Sequence, residues 1–576
     1  MKMPFSLIAI ALLLFPAFLQ AQEFTTVFEK SQGLETATYH QTIAYYTQLS
    51  EKHPEIQIYS MGETDSGLPL HVVVFNPDKT FDFSILNKTK TTLLINNGIH
   101  PGESDGIDAT MMLFRDFATK KRPALKNTVL VTIPIYNIGG SLNRNSTTRA
   151  NQNGPKTYGF RGNARNYDLN RDFIKSDTKN AKAFAEIFHL VKPDVFIDNH
   201  VSNGADYQYT LTHLFTQHNK LGGKLGHYLH LFLMPELQAK LKQKNWDITP
   251  YVNVFNQLPE NGFTQFMDYP RYSTGYTTLW NTLGIMVETH MLKPYKQRVE
   301  GTYDFMTAVI DIIENEHTNI KQYKKDAITD YMPGTPYTLD WKIDSTQTTT
   351  LNFKGYEGTF VNSKVTGKKR LKYNRDRPFT KKTNYYNYYK PHVETTIPKA
   401  YIIPQGWYTV LNLLKINQVS TTSLKADTTL TVEAYRISDF KTRNTPYEGH
   451  YQHYDTKVIS EEKNITFKRG DVLVSTLQPA VRYLLETLEP QAPDSFFNWN
   501  FFDTILQQKE GFSPYVWEDK AEILLQNNPK LKQQFEAKKQ SDSSFSNNWY
   551  AQLDWLFKQS NNYEKAHMQY PIYRIN

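Results

Sequence analysis

The sequence predicts an α/β layer fold over residues 39–316, followed by a mainly β module that ends in an aromatic and helical segment. Three observations predict it. Amphipathic helical patterns alternate with short aliphatic or β-branched runs, which is the pattern of layered α/β proteins. Those runs are apolar on both faces, as strands covered on both sides must be. Beyond residue 326 the runs alternate apolar with polar, as in sheets with one solvated face.

The elements follow in order. Lys2 precedes an apolar stretch at 7–19 that is too short to span a bilayer, so residues 1–21 read as a cleaved secretory signal. Ala21 stands where a peptidase would cut, and no cysteine follows to carry a lipid. The mature chain is therefore expected to be soluble and extracytoplasmic, periplasmic or secreted. Strands are expected at 71–75, 92–95, 129–135, 195–197 and 284–287. Helical stripes run through Ile107, Met111 and Phe114, and through Val299, Met306, Val309 and Ile313. These place a first, α/β domain at 22–325. The runs at 429–437 and 471–477 mark an accessory β module over 326–490. The remainder, 491–576, holds an aromatic cluster (Phe496, Phe497, Trp499, Phe501, Phe502) and helical patterns at 521–538 and 549–558, expected to pack on that module.

With 576 residues, 39% hydrophobic and 21% charged, the chain can build large cores, which excludes wholesale disorder. The net charge of +8 is local: residues 364–382 hold nine basic side chains and one acid, Asp376. This stretch, just before Tyr385, Tyr386, Tyr388 and Tyr389, reads as a solvated loop, with an anionic surface contact as the sharper alternative. No recognisable nucleic-acid module accompanies it. The absence of cysteine excludes thiol catalysis, Fe–S clusters and thiolate zinc sites, so any metal must be held by His, Asp or Glu.

One His-x-x-Glu exists, His100-Pro101-Gly102-Glu103, between a strand and a strong helix pattern. That position is the carboxyl edge of a sheet, where open α/β folds bind ligands. About one such pair is expected by chance, so the pair alone is weak. A third ligand comes from His200, delivered by the run Val195-Phe196-Ile197-Asp198-Asn199. Glu288 ends the apolar run Leu283-Gly284-Ile285-Met286-Val287, where a carboxylate is costly unless paired, hydrated or beside a metal. Asn170 and Arg171, with Arg161 and Arg165 upstream, offer the donors that suit a carboxylate. The pairs His227/His230 and His450/His453 read as structural, as does His290.

Taken together these motifs resemble the zinc metallocarboxypeptidases of the carboxypeptidase A/B and D/E type. The likeness covers residues 39–316: GETDSGLPLHVVVF from Gly62, HPGE, FRGNARNYDLNRDF, DNH and GIMVETH, in that order. The resemblance implies a mixed central sheet with helices on both faces. It implies one Zn²⁺ per chain on His100, Glu103 and His200, with Glu288 as the catalytic glutamate. Asn170 and Arg171 match the pair that binds the substrate's terminal carboxylate. The arginine that polarises the scissile carbonyl falls on Arg161, with Arg165 and Arg149 as runners-up. Tyr272 and Tyr276 are the candidates for the substrate-covering tyrosine, although their spacing departs from the family pattern. The implied activity is removal of C-terminal residues from peptides with a free C-terminus. A zinc amidase or peptidoglycan peptide hydrolase on the same site, and a non-catalytic carboxylate-binding relative, are the alternatives. The pocket for the terminal side chain is expected within residues 267–281, where Asp268 is the one acid.

Overall fold

The computed structural model describes residues 24–576, so the expected signal, 1–21, lies outside the described residues. Among those described, no helix is long and apolar enough to cross a membrane. The centre is an eight-stranded mixed sheet built from β1 (Ile56–Glu63), β2 (Pro69–Phe75), β3 (Thr91–Asn96), β4 (Thr128–Ile133), β5 (Val195–Ser202), β6 (Leu211–Phe215), β7 (Ile248–Pro250) and β8 (Leu283–His290). In space they run β1-β2-β4-β3-β5-β8-β6-β7. The central four, β4, β3, β5 and β8, are parallel to one another. Their carboxyl ends therefore open side by side on one edge, the ligand-binding edge of such sheets.

β3 and β5 are buried along their whole length, and β8 at every residue except Glu288. Helices explain this burial. Four of them are α1 (Tyr39–Lys52), α2 (Asp105–Ala118), α3 (Lys179–Val191) and α4 (Tyr295–Ala327). Phe184 of α3 meets Phe196 of β5, whereas Met306 of α4 meets Asn199. Residues 196 and 199 point to opposite faces of a strand, so helices cover both sides as expected.

The C-terminal half is mainly β, with a helical tail. Its six-stranded sheet runs Thr422–Ser423, Val472–Ser475, Ala400–Ile403, Gln569–Ile575, Thr428–Thr442, His453–Phe467. The chain thus ends as a strand, Gln569–Ile575, inserted between Ala400–Ile403 and Thr428–Thr442. Two expectations change here. The helical pattern at 521–538 is two helices, Pro514–Asn527 and Pro529–Ser541, because Pro529 forces Asn528 into an extended conformation (φ −135°). The basic stretch is not a loop either. Lys369–Tyr386 is an 18-residue strand paired with Thr349–Asn362, and it also joins Phe263–Thr264 in the N-terminal half.

Candidate active site

The cavity at the sheet's carboxyl edge, about 600 Å³, is lined by His100, Glu103, Arg149, Arg161, Asn170, Arg171, His200, Tyr251, Asp268, Tyr272 and Glu288, among others. The turn after β3 places the first two. Glu103 N–H donates to the His100 carbonyl (2.8 Å), closing a tight turn before α2. Gly102 is required in it, since a Cβ there would lie 2.4 Å from Arg149 Cδ and 3.1 Å from the Gly159 carbonyl. His200 lies on β5 directly across from Glu288 on β8, in register.

His100, Glu103 and His200 converge, with one ligand atom of each within 4.8 Å of the others. His100 Nδ1 is 3.2 Å from Glu103 Oε1, and His200 Nδ1 is 3.0 Å from Glu103 Oε2. Their other ring nitrogens are occupied. His100 Nε2 is 3.0 Å from Asp168 Oδ1, and His200 Nε2 is 2.9 Å from Asp198 Oδ2. A carboxylate behind each imidazole fixes its orientation and leaves Nδ1 for a metal, the arrangement that metal-ligating histidines use. Two imidazoles and a carboxylate, all buried, are a three-ligand set suited to zinc with one position left open.

The electrostatics agree with this geometry. Burial pushes the Glu103 carboxyl up, but His100, Arg149 and hydrogen bonds from both imidazoles outweigh it and hold it well below the ordinary carboxylate range. Asp168 is likewise held low, its burial outweighed by His100, Arg161 and Arg171. Glu288 goes the other way. Burial lifts it to about 8, Glu103 and Asp198 add to the rise, and His200 and Arg161 oppose it. It is enclosed by protein yet keeps some exposure through the cavity.

Arg161 straddles the site: Nε and Nη2 hold Asp168 Oδ2 (3.0 and 2.8 Å), while Nη1 is 3.5 Å from His100 Nδ1 and 3.8 Å from Glu103 Oε1. Arg149 donates to Glu103 Oε1 at 2.8 Å. Arg165 does not line the cavity; it lies over the Tyr167 ring and faces Asp65. Asn170 and Arg171 both do, and the Arg171 guanidinium stacks 4.6 Å above the Tyr272 ring.

Tyr276 must be withdrawn as a substrate-covering residue. It is fully buried in an aromatic core with Phe173, Phe184 and Phe188, and its hydroxyl donates to Asn417 Oδ1 (2.6 Å). Tyr272 does face the cavity. Of residues 267–281, Asp268, Tyr272 and Thr274 line it, joined by Leu214, Phe266 and Met286. The Asp268 carboxyl is raised by burial, and the Lys220 ammonium nearby opposes the rise. β8 continues through His290, which is buried against Asp206 (3.2 Å) outside the cavity. Neither decoy pair converges: His227 is exposed and His230 stacks on His218, while His450 and His453 bond Asp177 and Asp503.

Sequence reasoning missed Asp168, Asp198 and Tyr251. Asp198 had a signal, since residues two apart on a strand share a face, so it had to stand beside His200. Asp168 and Tyr251 reach the site only through tertiary packing.

No model of a known protein family matches the chain, and no curated protein does. Solved structures do. The metallo-carboxypeptidase from Burkholderia cenocepacia is similar over 49% of this chain and 70% of its own, at 15% identity and a TM-score of 0.36. Carboxypeptidase A from Helicoverpa armigera is similar over 48% and 74%, at 12% identity and 0.37. Bovine thrombin-activatable fibrinolysis inhibitor, solved in complex with tick carboxypeptidase inhibitor, is similar over 51% and 98%, at 11% identity and 0.36.

Proposed function

We propose that the protein is an extracytoplasmic zinc-dependent metallocarboxypeptidase that hydrolyses C-terminal residues from peptides. The observation that carries this reading is one cavity holding a convergent His100, Glu103 and His200 beside Glu288, with Asn170 and Arg171 in the same wall. His100, Glu103 and His200 would hold the metal. Zinc bound there supplies a Lewis acid and lowers the pKa of its water toward neutrality.

The chain's own residues do the rest. Asn170 and Arg171 bind the terminal carboxylate, with the guanidinium giving a planar two-point contact. Glu288, a carboxyl lifted toward neutral pH, takes a proton from the attacking water and returns it to the departing amine. Arg161 stabilises the oxyanion as charge develops on the carbonyl, a donor role worth about 3–4 kcal/mol in a water-poor site. Exopeptidase action follows from the Asn170/Arg171 clamp and not from the metal. The domain boundaries near residues 325 and 490, and export directed by residues 1–21, belong to the same reading. Supporting an anionic surface contact, six cations of 364–382 (Lys364, Lys368, Lys369, Arg370, Lys372, Lys382) have no carboxylate at ion-pair distance among the described residues, whereas Arg375, Arg377 and Lys381 do.

A peptide-library digest read by mass spectrometry tests the proposal. Single residues should be lost from free C-termini, a chelator should abolish the loss, and added zinc should restore it. Equal hydrolysis of amidated peptides, or full activity in chelator, would overturn it.

A further inference from the structure

Residues 443–452 join the strands Thr428–Thr442 and His453–Phe467 of the C-terminal sheet. Far from the site in sequence, this loop lands on the segment that carries Asp168, Asn170 and Arg171. Glu448 Oε2 accepts the Asp168 backbone N–H at 2.8 Å. Tyr447 is stacked nearly parallel on Trp499 (6.1 Å, 16°) and is flanked by the guanidinium groups of Arg271 and Arg443. The Arg271 guanidinium lies 5.8 Å over its ring, and Arg271 directly precedes the Tyr272 on which Arg171 stacks. His450 Nε2 anchors the far side of the loop on Asp177 (2.8 Å).

The contact is built. Glu448 adopts φ +48°, a left-handed conformation that a glutamate rarely takes unless its surroundings impose it. Gly449 follows at φ +81°, and a Cβ on it would come 2.6 Å from the Tyr167 hydroxyl, so only glycine allows the approach. Burial raises the Glu448 carboxyl, and the hydrogen bond it accepts from the Asp168 N–H opposes the rise.

What the loop holds explains the contact. The Asp168 carboxylate contacts His100, Arg161 and the Asn170 N–H at once. Arg271, which precedes the Tyr272 that stacks on Arg171, is itself held by Asp494 of the C-terminal half (2.8 Å). We propose that loop 443–452 is a positioning element of the active site, in which Glu448 fixes Asp168, and Tyr447, through Arg271, steadies the Tyr272 that stacks on Arg171. Neither touches the substrate. The metal-ligand geometry and the carboxylate clamp thus depend on the C-terminal half, an inference that rests on the function proposed above.

The test uses the full chain and two readouts: zinc affinity by competition with a chromogenic chelator, and KM against kcat on a free-acid peptide. Glu448→Ala should weaken zinc binding about 3- to 10-fold, one shell further out than the 10- to 100-fold typical of direct partners of ligands. Glu448→Gln keeps an oxygen acceptor and should stay within about 2-fold of wild type. Tyr447→Ala removes the ring under Arg271 and should raise KM about 3- to 10-fold with kcat nearly unchanged, as loosening of the Tyr272 that stacks on Arg171 implies. Folded variants that keep wild-type zinc affinity and KM would overturn the inference. A wild type that binds zinc but cleaves no peptide would instead overturn the peptidase reading, and the zinc affinities would still decide this one.

Discussion

Two buried glutamates, one in each half of the molecule, make an instructive pair. Burial raises Glu288 at the end of β8 to about 8, and Glu486 on the helix Val481–Leu488 to about 7. By titration alone they are alike. Their surroundings differ. Glu288 opens onto the cavity, beside His200 and Glu103. Glu486 is sealed: it is 1% exposed, accepts the Tyr337 hydroxyl at 3.0 Å, and feels the cations Lys220 and Arg482 from within the core. A shifted carboxyl therefore records desolvation, which active sites and cores share. Access to a cavity with convergent ligands is what separates the two.

Substitution of each glutamate should show this divergence, and the largest effect belongs to Glu288. Glu288→Gln should lower kcat by about 10²- to 10⁴-fold, the contribution of a positioned general base. Zinc content should be unchanged, because Glu288 is not one of the convergent ligands. Unfolding stability should hold or rise, since the change removes a carboxyl whose charged form burial penalises, with Glu103 and Asp198 adding to the penalty and His200 opposing it. Steady-state kinetics with metal analysis checks it, and a defect below 10-fold would erase the distinction from Glu486.

The same contrast explains what the sequence discloses. Glu288 is legible because it ends an apolar run, where a polar residue has few structural reasons to exist, and His100, Glu103 and His200 because a His-x-x-Glu pair and a further His follow expected strands. The central strands are legible for the related reason that burial on both faces leaves an unbroken apolar run. Partners of the second rank are not. Asp168 and Glu448 meet across 280 residues of chain, and no local pattern encodes that contact. Tyr272 and Tyr276 look interchangeable in sequence, yet the short helix Ser273–Thr278 turns one to the cavity and the other into the core. The strand Lys369–Tyr386 is hidden because most of its residues are solvated, so it lacks the alternation that marks a half-buried strand.

A second prediction sharpens the sealed side. Arg482 is 1% exposed, and its guanidinium donates to the Lys220 carbonyl (2.7 Å), the Leu221 carbonyl (3.3 Å) and Asn281 Oδ1 (3.1 Å). It ties the helix of Glu486 to the N-terminal half. Arg482→Leu leaves those acceptors without their donor and removes a compensating cation from Glu486, so it should cost about 3–5 kcal/mol of stability. Denaturant unfolding measures the loss. Turnover per folded molecule should stay near wild type, in contrast to Glu288→Gln.

The smallest effect is the most diagnostic, because it asks whether Glu486 titrates as a core residue. Its folded value, about 7, lies above the ordinary 4.5, so the native state binds the proton more tightly than the unfolded chain does. The resulting stability is fully present below about pH 4.5 and is lost as pH rises through 7. The loss is on the order of 3–4 kcal/mol at 1.36 kcal/mol per pKa unit. Glu486→Gln keeps an acceptor for Tyr337 and cannot titrate, so wild type should lose stability relative to the variant across this window. Urea unfolding between pH 4.5 and 8, in chelator so that ligand protonation does not intrude, follows the difference. Parallel curves would mean that Glu486 ionises freely, and the likeness to Glu288 would then be lost at its root. Converging or crossing curves, with peptidase activity untouched, would show that the two glutamates share a physical state and differ only in what can reach them.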